Sequence, residues 1–135
     1  MKGTVRLQDL YERHRDRVEF LHVYIREAHP SEGWTLGGPV LRHLIPRYAP
    51  ASTDLPSPTT LGERREAAIA SARSAEHQIP TLVDDLDDAV CEAYVALPTR
   101  LFLVDEAGRI AYAGGPGPYG FKPAELGRAI EKLLG

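Results

Sequence analysis

Apolar residues recur along residues 5–18 with a helical period. Leu7, Leu10, Tyr11 and His14 fall at i, i+3, i+4 and i+7 on one face, and Glu12, Arg13, Arg15 and Asp16 make the polar face. Phe20 to Ile25 follows at once as an aromatic, β-branched run interrupted only by His22, the pattern of a parallel strand buried on both faces. An imidazole tolerated near a sheet face accounts for His22. Residues 28–59 then carry Pro30, Pro39, Pro46, Pro50, Pro56 and Pro58 with Gly33, Gly37 and Gly38. That stretch reads as a long loop, with room for a short helical turn around Val40–Tyr48. A loop of this length in a compact domain is usually functional or disordered.

Periodicity returns at residue 60. Thr60 and Glu63 have capping-box spacing, and the alanine-rich segment 61–77 predicts a helix. Ile79–Asp84 predicts a short strand. Asp87–Ala96 predicts a second short helix carrying Cys91 and Tyr94. Arg100–Val104 and Arg109–Ala113 predict a hairpin around Asp105-Glu106-Ala107-Gly108, where glycine supplies positive φ. Gly114 to Pro118 is a stiff loop. Pro123 suits the first turn of a last helix, whose apolar face is Leu126, Ile130, Leu133 and Leu134. The order is α-β-(loop)-α-β-α-β-β-α, an α/β domain with a mixed sheet and flanking helices.

Composition narrows the class. At 135 residues, 43% hydrophobic and 26% charged, the chain reads as a single domain, 1–135, without repeats or linkers. A net charge of −3 argues against nucleic acid as partner. No apolar run approaches the roughly 20 residues of a membrane span. Residues 1–17 have no apolar core of a signal peptide, so a cytoplasmic location without membrane attachment is expected. One cysteine, Cys91, excludes an internal disulfide, a CxxC pair and a cysteine zinc cage. Its place between Val90, Tyr94 and Val95 suggests a buried structural thiol. No metal, nucleotide or flavin site is apparent; the glycines at 114, 115 and 117 lack phosphate-loop spacing.

The string Val23-Tyr24-Ile25-Arg26-Glu27-Ala28-His29-Pro30-Ser31-Glu32-Gly33-Trp34 carries the most specific information. It resembles the VYI-x-EAH-x-S-D-GW segment of the iodothyronine deiodinase family, reductases of the thioredoxin-like superfamily. Further matches follow in order. Thr60–Arg64 resembles SLEDR, Ile79–Asp84 resembles P-x-x-x-D, Ala93–Leu101 resembles AYGALPERLY, and Gly114–Tyr119 resembles GGxGPxxY. The resemblance implies a thioredoxin-like mixed sheet, with a cis peptide bond before Pro98 facing the active site. It implies a thiol- or selenol-dependent reductase that acts on a small aromatic, halogenated substrate with an external thiol as reductant and no bound cofactor. Glu27 and His29 match the acidic and imidazole residues beside the family's nucleophile. Tyr24 and Arg100 match positions that help to hold substrate. Trp34 lines a pocket or packs the loop base. Pro58 stands where vertebrate members have a histidine, so no role resting on that histidine carries over.

Chemistry supports the pair independently. Glu27 and His29 are two apart at a strand end and point to one side. A carboxylate beside an imidazole favours its protonated form, and reductive cleavage of an aryl–halogen bond needs a proton for the ring carbon. Arg100 is able to fork onto a carboxylate.

One departure stands out. In the family, a strand and a nucleophile-bearing loop precede the helix that residues 5–18 match. The first core strand and the catalytic cysteine or selenocysteine are therefore expected to be absent from these residues, and Cys91 lies in the wrong segment to replace them. A misplaced start, a selenocysteine codon read as a stop, or loss of the segment would each produce this break. Two functions follow: a deiodinase-like reductase inactive in this form, or a non-catalytic binding or assembly module that keeps the fold. Sequence just upstream of Met1 would separate them. In the thioredoxin-like order the absent strand lies between Phe20–Ile25 and Arg100–Val104, so association between copies through exposed strand edges is also expected.

Overall fold

The computed structural model describes residues 5–26, 58–75 and 77–135. Their elements are α1 (Leu7–His14), β1 (His22–Tyr24), α2 (Leu61–Ala75), β2 (Thr81–Val83), α3 (Ala89–Tyr94), β3 (Phe102–Val104), β4 (Ile110–Ala113) and α4 (Pro123–Leu134). The α/β order matches the sequence pattern. The long loop and its short helical turn, expected over 28–59, lie almost wholly outside the described residues.

The core forms where α1 and α4 cover one face of the β3–β4 hairpin. Leu10, Leu101, Leu103, Leu126 and Ile130 are buried together, flanked by Leu7, Val18, Phe20, Tyr112 and Phe121. Each such aliphatic side chain contributes roughly 1.5–3 kcal/mol through burial. The two helices meet at Gly127, where an added Cβ would stand 3.0 Å from Leu10 Cδ2. Tyr11 packs edge-on against Phe20 at 5.7 Å. Leu133, expected on the buried face, is 44% exposed, because the core is filled by Leu126 and Ile130, two turns and one turn earlier.

Local signals set the element ends. The Thr60–Glu63 capping box forms: Glu63 N–H donates to Thr60 Oγ1 at 3.2 Å, and Thr60 N–H donates to Glu63 Oε2 at 3.2 Å. Thr59 adds its own N–H and hydroxyl to the same carboxylate oxygen, and these bonds, Thr59 N–H first, hold Glu63 below the usual carboxylate range. Pro123 opens α4 as its first residue. The hairpin turn is closed by Asp105, whose Oδ1 accepts the N–H groups of Ala107 and Arg109, with Gly108 at φ +77°.

The sheet departs from expectation. Among the described residues β1 pairs in parallel with β2 (His22 opposite Thr81, Tyr24 opposite Val83), and β3 pairs antiparallel with β4. These are two separate two-stranded sheets, not one mixed sheet. The reason lies in which backbone groups have partners. His22 and Tyr24 are bonded towards β2, through Pro80 O and Asp84 N–H, so Val23 presents its N–H and C=O to the opposite edge. Leu101 and Asp105 are bonded towards β4, so by alternation Phe102 turns its backbone groups away. Among the described residues every strand therefore has one unpaired edge, those of β1 and β3 included. β1 and β3 are also three residues long, shorter than the expected Phe20–Ile25 and Arg100–Val104, and β1 is half-buried rather than buried on both faces, with Leu21 54% exposed.

Candidate functional site

The site is organised around α3, which is fixed at both ends by charged side chains. At its start, the Asp84 carboxylate, 2% exposed at the end of β2, accepts two helix N–H bonds. Val90 N donates to Oδ1 at 3.1 Å and Cys91 N to Oδ2 at 2.9 Å. A carboxylate there satisfies two of the four unpaired N–H groups and complements the helix dipole. The turn between Asp84 and α3 is held from α2 by Arg64, itself 4% exposed. Arg64 Nη1 donates to the carbonyls of Asp84 (3.3 Å) and Asp85 (2.5 Å), and Nη2 lies 3.1 Å from Asp88 Oδ1. That last contact is ionic rather than a directed hydrogen bond, since Asp88 Oδ1 has no well-aligned donor. Asp88 also faces Arg26, at the end of β1, across 3.9 Å.

At its other end α3 closes with a Schellman arrangement. Ala96 N–H donates to Cys91 O at 2.9 Å and Val95 N–H to Glu92 O at 3.2 Å, with Val95 left-handed at φ +48°, ψ +52°. Arg100 then gathers the carbonyls around it. Its Nη1 donates to Tyr94 O (3.1 Å) and Val95 O (3.4 Å), and its Nε donates to Gly114 O at 2.8 Å. The guanidinium lies 4.8 Å over the Phe102 ring, which Tyr94 meets edge-on at 4.9 Å. Three of its five N–H groups are thus used on backbone carbonyls. Among the described residues only Nη2 is left without a protein acceptor.

The segment between α3 and β3 contains the cis peptide bond Leu97–Pro98, as expected, and a second one, Gly117–Pro118, lies in the loop beside it. That loop is tied to the segment twice: Gly117 N–H donates to Thr99 O at 2.8 Å and Gly114 N–H to Leu101 O at 2.8 Å. A Cβ at Gly117 would stand 2.5 Å from Thr99 Cγ2, and one at Gly120 would overlap the backbone of Gly115 and Pro116.

Of the residues singled out from sequence, Pro98 and Arg100 come together here. Tyr24 sits half-buried in β1, and its carbonyl accepts the N–H of Asp84 at 2.8 Å. Glu27, His29 and Trp34 lie outside the described residues. Cys91 is buried, 5% exposed, on the inner side of α3. His22 packs edge-on against His77 at 4.9 Å, and its pKa is lowered by burial and then by that neighbour. No group of three or more His, Cys, Asp or Glu among the described residues is arranged to hold a metal ion. No helix among them is long and apolar enough to cross a membrane. An apolar hollow lies between α2 and β2, lined by Leu61, Ala68, Ile69 and Leu82, and takes no residue from the Pro98–Arg100 segment. Asp84, Asp88 and Arg64 carry the frame without having been singled out for it. The legible signal was a carboxylate a few residues ahead of a short helix start.

Comparison with known proteins gives the family. The family model for iodothyronine deiodinase matches residues 3–134. Thyroxine 5-deiodinase from Gallus gallus is 36% identical over 111 residues, covering 82% of this chain and 38% of that protein. The Sparus aurata thyroxine 5-deiodinase is 30% identical over 135 residues, covering 98% of this chain and 44% of that protein. The Ovis aries enzyme of the same name is 30% identical over 128 residues, 93% and 38% respectively. The chain therefore spans less than half the length of these relatives. With a family match over nearly every residue, this chain belongs to the iodothyronine deiodinase family.

Proposed function

We propose that these residues form the substrate-holding and proton-supplying part of a thiol- or selenol-dependent reductase that replaces a carbon–halogen bond on an aromatic ring, carbon–iodine first, with carbon–hydrogen. The observation that carries the reading is the family match through residues 3–134. The shape of the Arg100 segment supports it. Arg100 is pinned by three carbonyl bonds through Nε and Nη1, and Nη2, which has no acceptor among the described residues, is the group that a substrate's acid would meet. Pro98 supplies a rigid wall beside it, and Tyr24 and Trp34 are assigned to substrate binding in this reading. Glu27 and His29 deliver the proton, the carboxylate keeping the imidazole protonated near neutral pH.

The chemistry balances with two thiols. The ring carbon loses halide and gains a proton, the two thiols become a disulfide, and an external thiol reductant restores the pair. The first thiolate or selenolate must be nucleophilic. Cys91 is buried and shut inside α3, so the nucleophile comes from outside these 135 residues. The fold is thioredoxin-like, and a strand carrying that nucleophile's loop fills the space between the open edges of β1 and β3.

The test is iodide release from an iodinated phenol with dithiothreitol. The 135-residue chain is expected to give none. The chain joined to the strand and cysteine-bearing loop of a relative is expected to give turnover that Arg100→Ala weakens. Turnover by the 135-residue chain that Cys91→Ser abolishes would make Cys91 the nucleophile. Failure of the joined protein to bind or reduce the phenol would favour a binding module instead.

A further inference from the structure

We propose that Tyr119 is a substrate-recognition residue, its ring serving as a stacking platform for the aromatic ring of the ligand whose acid group meets Arg100. This deepens the function proposed above and rests on it. Three observations carry it together.

The first is exposure. Tyr119 is 91% exposed, the most exposed of the large apolar and aromatic side chains among the described residues. Among the described residues its ring is almost fully exposed, so its apolar surface adds nothing to the core that they form. The second is rigidity. Tyr119 rides on Gly114–Gly120, where Gly117 N–H donates to Thr99 O, Gly120 N–H to Pro116 O and Phe121 N–H to Pro118 O. Neither Gly117 nor Gly120 has room for a Cβ: Gly117 packs against the Thr99 methyl group and Gly120 against the backbone of Gly115 and Pro116. An aromatic side chain on such a support loses only two torsions on binding a ligand, so little entropy opposes the contact. The third is position. The same loop is bonded at Gly114 by Arg100 Nε and at Gly117 by Thr99, the residue between Pro98 and Arg100. Tyr119 is thereby held beside the segment that the functional reading assigns to substrate. An exposed ring, carried on a loop whose backbone is bonded to the Arg100 side chain and to Thr99, suits a ligand that has both an aromatic ring and an acid group. Offset or edge-on ring contacts would supply the specificity for the ring.

The experiment titrates the full chain with 3,5-diiodotyrosine and, separately, with cyclohexylalanine, whose ring is saturated, following both by calorimetry and by NMR. Tyr119→Ala should weaken diiodotyrosine binding by about three- to tenfold, the range of one aromatic pair, while Tyr119→Phe stays within about twofold. Neither variant should alter cyclohexylalanine binding. Ring-to-ring nuclear Overhauser contacts between the probe and Tyr119 should be present. Equal diiodotyrosine affinity for Tyr119→Ala and the native chain, with Arg100→Lys weakening it, overturns this inference and leaves the functional reading standing. A native chain that binds no diiodotyrosine overturns both. Unchanged far-ultraviolet dichroism of Tyr119→Ala, expected for a side chain this exposed, removes misfolding as an explanation.

Discussion

Replacing Val95 with glycine is expected to stabilise the chain, although it removes a side chain. Val95 occupies the position after α3 that takes up the left-handed conformation, φ +48°, and it does so as a β-branched residue. Left-handed backbone costs an L-residue about 1–2 kcal/mol, and branching at Cβ puts valine at the upper end. The side chain is 71% exposed, so losing it forfeits only about 0.5 kcal/mol of burial. Glycine adds about 0.5–1 kcal/mol of unfolded-state entropy. The balance is a gain of about 0.5–1 kcal/mol. For a domain of this size that raises the melting temperature by roughly 2–5 °C. Val95→Asn should gain part of this, because asparagine tolerates the conformation, and Val95→Ala should gain little, because it keeps a Cβ. Thermal unfolding followed by circular dichroism, with amide exchange at Ala96 as a local readout, decides it. A Val95→Gly chain that melts lower than the native one, or an alanine variant that gains as much as glycine, refutes the strain argument.

Asp84→Ala should cost about 2–4 kcal/mol in urea unfolding, since it leaves two N–H groups of α3 without a charged acceptor; a shift within experimental error would mean that water replaces the carboxylate. His22 has its pKa lowered in the folded chain by burial and by His77, so the unfolded chain binds a proton that the folded one resists. Stability should therefore be full above about pH 6.5 and fall as pH drops below it, and His77→Gln should flatten that fall; parallel melting-temperature profiles for the two proteins would count against the pair. The open edges of β1 and β3 should drive association of the 135-residue chain, visible as a rise in weight-average mass over a tenfold concentration range in sedimentation equilibrium; a strict monomer would show that the edges are otherwise protected.

Helix positions were legible because burial follows a simple period. Leu7 and Leu10 in α1, and Leu126 and Ile130 in α4, reach the core as their spacing required. The Thr60–Glu63 cap and the Asp105–Gly108 turn were legible because both are short-range hydrogen-bond patterns. Sheet pairing was not. Whether Phe20–Ile25 and Arg100–Val104 share a sheet depends on partners distant in sequence, and apolar runs say nothing about which edge is filled. At the candidate site, Arg100 was found through resemblance, but its commitment to three carbonyls follows from the fold of α3 and of the loop at Gly114. The roles of Arg64 and Asp84 were hidden because a buried charge looks like any surface charge until its acceptors are placed.

α3 has only six residues, well below the ~12–15 at which an isolated helix becomes even marginal in water. It persists because Asp84 reaches it from the end of β2 and Arg100 reaches it from the approach to β3. The two ladders share no strand pairing, yet each supplies one of the helix's two anchors. Fraying either ladder releases an anchor, melts the helix, and deprives the other ladder of its polar partners. The helix thus works as a tie-rod, and the two halves should open as one cooperative unit, with the amides of Val90 and Cys91 exchanging at the same free energy as those of Leu103 and Tyr112.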